Sequence, residues 1–277
     1  MTIRLRSDIF IKELLLFWIT LGVGMLTAYR SIFQVGQRVS IEPVEFSWGT
    51  VAIMVISFFV VSRLITRKPR WGAILLRVFM FLIVFSGIQL VLATFVSWSI
   101  NLIVSLLLTL AMWYWPRVIT HNVAMSLALA GIAAVIGLSI TPIVGLFVLA
   151  TLSLYDIIAV YRTGHMVQLA RTMIASGAVF GFIIPRRWHN FFLFRDQARI
   201  GDEFMVLGSG DIALPVMFVC SVVTHSLISA AIVGLFASLG LLLTHLIFVN
   251  QSQRRAMAAL PPIAMMTILG YAVSLLF

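Results

Sequence analysis

The sequence predicts an all-α polytopic membrane protein of nine transmembrane helices, with a cytoplasmic N-terminus and an external C-terminus. Composition is the first observation behind this. Of 277 residues, 62% are apolar and 10% charged, whereas soluble domains average about 45 to 50% apolar and about 25% charged. A mean hydropathy of +1.12 agrees. The second observation is a series of nine apolar runs, most of them near the 20 or so residues of helix that cross a bilayer core. The third is where the charge lies. Against 9 acidic residues stand 19 basic ones, and they collect between the runs. A solvated globular enzyme, a disordered chain and a secreted disulfide scaffold are thereby excluded. The net charge of +10 suits basic loops on an anionic membrane face and offers no stripe or stacking platform for a nucleic acid. The single cysteine, Cys220, reads as a small buried hydrophobe.

Charges, prolines and tryptophans mark the span ends. The first span, 9 to 29, follows Arg4 and Arg6. Asp8, Lys12 and Glu13 crowd its start, and Ala28-Tyr29-Arg30 makes a poor cleavage site, so it reads as a retained span rather than a secretory signal. The second runs from 46 to 63 and the third from 71 to 93, with Arg63, Arg67, Lys68 and Arg70 around their junction. The fourth, 95 to 115, ends at Trp113 and Trp115. The fifth is 121 to 140, and the sixth runs from Pro142 to Arg162. After a longer connection come 204 to 223, 226 to 249 and, beyond Arg254 and Arg255, 257 to 277. With the N-terminus inside, all 19 basic residues but Arg30 and Arg38 fall on the cytoplasmic side, as the positive-inside rule requires.

The chain therefore reads as one membrane domain, 1 to 277, with six spans up to residue 162, a cytoplasmic connection from 163 to 203, and three spans after it. Within the connection, Met173 to Pro185 is apolar but, at about thirteen residues, too short to cross, which predicts a re-entrant or interfacial piece. It carries Gly177 and Gly181 at a spacing that permits close helix contact.

Seven of the acids, Asp8, Glu13, Glu42, Glu45, Asp196, Asp202 and Glu203, are expected in loops or at span ends within reach of water. Asp156 and Asp211 lie inside spans, where an ionisable group is costly and marks a functional site. At 1.5 Å per residue both are expected roughly 10 Å below the cytoplasmic surface, on consecutive antiparallel helices. Two carboxyls so placed can face each other across a wet cleft without both ionising easily. That is what an aspartic protease needs, one carboxylate taking a proton from water while the other, protonated, polarises the scissile carbonyl. Gly208-Ser209-Gly210 before Asp211 removes side chains and lets another backbone approach.

Tyr155-Asp156, then Gly208-Ser209-Gly210-Asp211, then Ala259-Leu260-Pro261 resemble the presenilin and signal peptide peptidase family. Its pattern is Tyr-Asp, Gly-x-Gly-Asp and Pro-Ala-Leu across nine spans. The resemblance implies an intramembrane aspartyl endopeptidase with Asp156 and Asp211 as its catalytic pair, and Tyr155, Gly208, Ser209, Gly210, Ala259, Leu260 and Pro261 as motif or substrate-binding residues. The last motif departs from the family: Ala258 stands where its leading proline would, and Pro262 adds a second proline. The cytoplasmic N-terminus matches the presenilin branch, and the short connection implies a compact microbial or archaeal homologue.

By this reading the substrates are transmembrane helices of other proteins, cut in their unwound state within the bilayer, in a prokaryote the plasma membrane. No cofactor, metal or obligatory partner subunit is expected, and a homo-oligomer is left open. His225 and His245 lack an HExxH spacing and read as partners of neighbouring helices rather than zinc ligands. The competing reading is a proton- or cation-translocating transporter or channel, since paired intramembrane acids serve there too, although no internal repeat supports it. A prepilin-type peptidase shares the Gly-x-Gly-Asp logic as a narrower alternative.

Overall fold

The computed structural model describes residues 6–35, 49, 53, 69–162, 172–197, 203–251 and 257–276. Eight α-helices occur among them: α1 (Ser7–Val35), α2 (Pro69–Leu92), α3 (Trp98–Tyr114), α4 (Val118–Leu138), α5 (Pro142–Ile157), α6 (Ser209–Val223), α7 (Leu227–Val249) and α8 (Leu260–Ser274). Each coincides with one expected span. The expected span 46 to 63 lies outside the described residues, apart from residues 49 and 53. By length and composition α1, α2, α4, α5 with its final turn, and α7 are able to cross a membrane, and α3, α6 and α8 are shorter apolar helices.

Polarity runs opposite to that of a soluble bundle. On α3, Asn101, Ser105 and Thr109 recur every fourth residue and are buried, while Ile103 and Leu107 on the other side are 59% and 60% exposed. The Ser105 and Thr109 hydroxyls donate to the carbonyls one turn back, each at 2.7 Å. Asn101 Nδ2 reaches across to the Gln89 carbonyl of α2 at 3.1 Å. Polar groups inside and large apolar side chains outside fit a lipid surrounding. The chain is a multi-pass integral membrane protein.

α1, α4 and α6 meet in the middle of the molecule, with α2 and α3 on one side of α4. On the other side α7 and α8 pack against each other, and α5 lies against α6 and α8. The core joins Phe17 and Leu21 of α1, Met125 and Ala128 of α4, and Val216 and Phe218 of α6.

The structure corrects the all-α expectation at one place. After a helical turn at 172–176, Gly177 takes a φ of 73°, and the chain enters strand β1 (Gly181–Pro185). It pairs antiparallel with β2 (Phe204–Gly208), Gly181 opposite Gly208 and Pro185 opposite Phe204. The apolar piece 173 to 185 is therefore a turn and a strand, and α6 begins at Ser209, not 204. Short runs such as Phe182-Ile183-Ile184 and Met205-Val206-Leu207 are rich in strand-forming residues, and apolar periodicity alone does not separate a short strand from a buried helical turn.

Backbone that leaves the helix inside a membrane protein needs partners, and α4 supplies them to the outer edge of β1. Asn122 acts as a miniature strand: its Nδ2 donates to the Ile183 carbonyl at 2.7 Å, and its Oδ1 accepts the Ile183 N–H at 2.9 Å. His121 Nε2 lies 2.9 Å from the Gly181 carbonyl. Since a carbonyl only accepts, Nε2 carries the proton, and Nδ1 offers its lone pair to Arg195 Nη1 at 3.3 Å.

A second correction concerns Glu13. Because α1 starts at Ser7, Glu13 lies almost two turns inside the helix, 1% exposed. Its Oε2 meets Nδ1 of the buried His245, on α7, at 2.8 Å. Beside it, buried Lys12 donates to the carbonyls of Asp8 and Arg186 at 2.8 and 2.6 Å and lies over the Trp188 ring.

Candidate active site

The first acid is carried by α5. Thr141 caps this helix, accepting the Val144 N–H, and Pro142 occupies its first turn, where a missing N–H costs nothing. Asp156 is its next-to-last residue and is buried. Immediately beyond, Ile158–Arg162 widens into a π-helical turn, a local change of winding frequent at functional sites. Tyr155, one residue earlier, is half exposed on the outside. On a helix, adjacent side chains diverge by about 100°, so Tyr155 forms part of the surface while its neighbour points inward.

Asp156 Oδ2 accepts the Leu260 N–H at 3.3 Å. This donor is unusual in its isolation. Leu260, Pro261 and Pro262 open α8, and prolines have no N–H. Of the unsatisfied donors at a helix start, these three residues present one, and it faces Asp156. Leu260 is itself buried, Ala258 in the family's proline position is buried too, and Ala259 and Pro261 are half-buried.

The second acid sits where strand becomes helix. Gly208 ends β2 and is the N-cap of α6, so Ser209, Gly210 and Asp211 are the first, second and third helical residues. From the third position a carboxylate is able to turn back onto the N-cap amide, and Asp211 is turned this way, its Oδ2 close against Gly208. This close approach requires glycine at 208: a Cβ there would stand 2.9 Å from Asp211 Oδ2. Ser209 N–H donates to the Phe180 carbonyl at 3.4 Å, which joins the helix start to the approach to β1. Gly210 is exposed, and a Cβ on it would meet nothing within 4 Å. The carboxylate at 211 thus lies at the positive end of a helix dipole, beside a bare backbone.

α5, α6 and α8 pack on one another and bring Asp156, Asp211 and Leu260 together, with Asp211 within range of the Asp156 charge. Tyr155 and Gly210 face outward from that cluster. His225 is exposed and bonded to Thr224 at 2.9 Å, and His245 is paired with Glu13. Sequence reasoning passed over His121 and Asn122. Their signal was two adjacent polar residues at the start of an apolar span.

A membrane-embedded helical bundle that brings two acids together from consecutive helices, one of them at the end of a Gly-x-Gly turn, has the form of an intramembrane aspartyl protease. The comparisons agree. Residues 19–277 match the family model for signal-peptide peptidase, presenilin aspartyl protease, and the chain belongs to that family. It is an aspartic-type peptidase that works within the membrane. Among solved structures, one described as a presenilin family intramembrane aspartate protease in a C222 lattice superposes with a TM-score of 0.59. Identity is 21%, and the match covers 94% of this chain and 94% of that one. A P2 crystal form of the same description gives 0.59 and 21%, over 95% of this chain and 96% of the other. These structures share the fold. No curated protein sequence matches the chain.

Proposed function

We propose that Asp156 and Asp211 are the catalytic pair, cutting transmembrane helices of other membrane proteins by water held between the two carboxyls. The carrying observation is the pairing itself: two acids from consecutive helices, Asp156 held by the Leu260 N–H and Asp211 turned against Gly208, with Asp211 within range of the Asp156 charge. One takes a proton from the water while the other donates to the scissile carbonyl, and no nucleophilic side chain is needed.

A helical carbonyl is sheltered by its own hydrogen bond, so the substrate must be locally extended at the cut. The sheet supports a way to hold it. Ile183 spends both its backbone groups on Asn122, so the Ile183–Val206 pair is one that exchanges no bonds. The Val206 N–H and C=O therefore point away from β1, and no described strand lies on that side. With α4 occupying the far edge of β1, the edge of β2 is the place for an added strand. A strand there runs toward Gly208 and Asp211.

In the same reading the chain is one nine-span domain with its N-terminus in the cytoplasm and residues 163 to 203 as a cytoplasmic connection, in the plasma membrane of a prokaryote. Ser209, Ala259 and Pro261 shape the approach to the pair, and Tyr155 and Gly210, which face outward, border it on the substrate's side. The purified protein in detergent should cleave a single-span model substrate, and Asp156→Asn and Asp211→Asn should each be folded and inert. Residual cutting by either variant would overturn the pairing. A proton-dependent flux through liposomes, unaffected by a hydroxyethylene inhibitor, would put ion translocation in its place.

A further inference from the structure

Thr244 lies on α7, buried, and its hydroxyl bonds to neither acid. Its hydroxyl is 3.0 Å from the Gly240 carbonyl one turn back and 3.2 Å from the carbonyl of Ala259, before α8. The first contact is the ordinary habit of a threonine within a membrane helix. The second belongs to another segment. A hydroxyl has one hydrogen, and here it is shared between two acceptors, a three-centre arrangement common in helices.

The carbonyl of Ala259 and the N–H of Leu260 are two ends of one peptide plane. On one side that plane accepts from Thr244; on the other it donates to Asp156 Oδ2 at 3.3 Å. A hydrogen bond to a peptide oxygen polarises the amide and strengthens the donor at its other end. It also fixes the plane's rotation, which sets the direction of the N–H.

Two features hold Thr244 in place. Gly240, one turn earlier, lets α7 and α8 touch: a Cβ there would lie 2.6 Å from Ile263 Cα and 2.9 Å from the Pro262 carbonyl. The next residue, His245, is bonded to Glu13 of α1, with both side chains essentially unexposed. The rotation of α7 about its own axis is thus pinned at the turn where Thr244 reaches Ala259.

We propose that Thr244 is a positioning residue of the protease, orienting Asp156 through the Ala259–Leu260 peptide. The inference rests on Asp156 being catalytic. Because Thr244 is buried behind that peptide, the substrate does not touch it, and its effect falls on turnover rather than on binding. Thr244→Val keeps the shape and deletes the hydroxyl, and Thr244→Ser keeps the hydroxyl and deletes a methyl.

The test is steady-state cleavage of a single-span substrate by the full-length protein in detergent, with gel filtration to confirm folding. Thr244→Val should lower kcat by about tenfold with KM within about twofold, as expected for an interaction expressed in the transition state. Thr244→Ser should restore most of the lost kcat. Should the valine variant aggregate, Thr244→Ala is compared with the serine variant on the same criteria. Parental kcat without the hydroxyl, or equal losses for serine and valine, would overturn the role of Thr244. Cleavage by Asp156→Asn in the same assay would instead overturn the catalytic pair.

Discussion

The two paired acids are held in opposite ways. Asp211 depends on its own neighbourhood: the residue its carboxylate turns against is three residues earlier, at Gly208, and both belong to one strand-to-helix turn. Asp156 depends on a helix start 104 residues further along the chain, which is set in turn by how α8 packs on α7 and α5. The first arrangement forms whenever that turn forms. The second exists only after the bundle has assembled. Damage should therefore be local and severe around Asp211, and transmissible from a distance around Asp156.

The sharpest way to break this contrast is at Gly208. In Gly208→Ala the new Cβ falls 2.9 Å from Asp211 Oδ2, so the carboxylate has to move. A displacement on the order of 1 Å at a reacting group costs about a hundredfold, and kcat should fall by about that factor while thermal unfolding stays near parental. Steady-state kinetics and a melting curve on the same preparation decide it. Parental turnover would mean that the close approach to Gly208 does not position Asp211.

The corresponding change on the other side is Leu260→Ala. Deleting this buried side chain removes packing worth about 2 to 5 kcal/mol in a well-filled core and loosens the start of α8 that holds Asp156. Turnover and melting temperature should fall together. If the alanine variant melts like the parent and cuts like the parent, the position of Asp156 is not set by the start of α8.

This contrast also explains how much of the molecule was legible in its residues. Asp211 was readable because its support is local and leaves a written trace, Gly-Ser-Gly-Asp. Asp156 was found as a charge in the wrong place, but nothing nearby in sequence names Leu260 as its partner. Spans were readable because lipid demands continuous apolar length. The sheet was not, since β1 and β2 are separated by residues 186–203 and each is as apolar as a helical turn. Glu13 was misplaced for a related reason. Its partner is His245, and neither residue's local context records the other.

The sheet gives a weaker break at longer range. Asn122→Leu takes away the one side chain that satisfies both backbone groups of Ile183. An unsatisfied buried polar group costs about 1 to 3 kcal/mol, so the variant should melt earlier, with faster amide exchange over residues 181–185 than in the parent. Cleavage should weaken as the β2 edge loses its support. Unchanged exchange at Ile183 would show that α4 does not brace the sheet.

The smallest effect is expected at Gly210, and its sign separates the two glycines of the motif. Gly208 is confined by the carboxylate, whereas Gly210 faces open space. In the helix, alanine is favoured over glycine by roughly 0.5 to 1 kcal/mol, so Gly210→Ala should melt slightly later than the parent. A methyl group there does not touch Asp211, but on the proposed path it stands beside an extended substrate passing from the edge of β2 toward the two acids. The expected result is a KM raised about threefold with kcat unchanged, the pattern of a contact made equally before and during the reaction. If kcat falls as far as in Gly208→Ala, Gly210 shapes the acid rather than the path to it, and the division between a confined glycine and an open one fails.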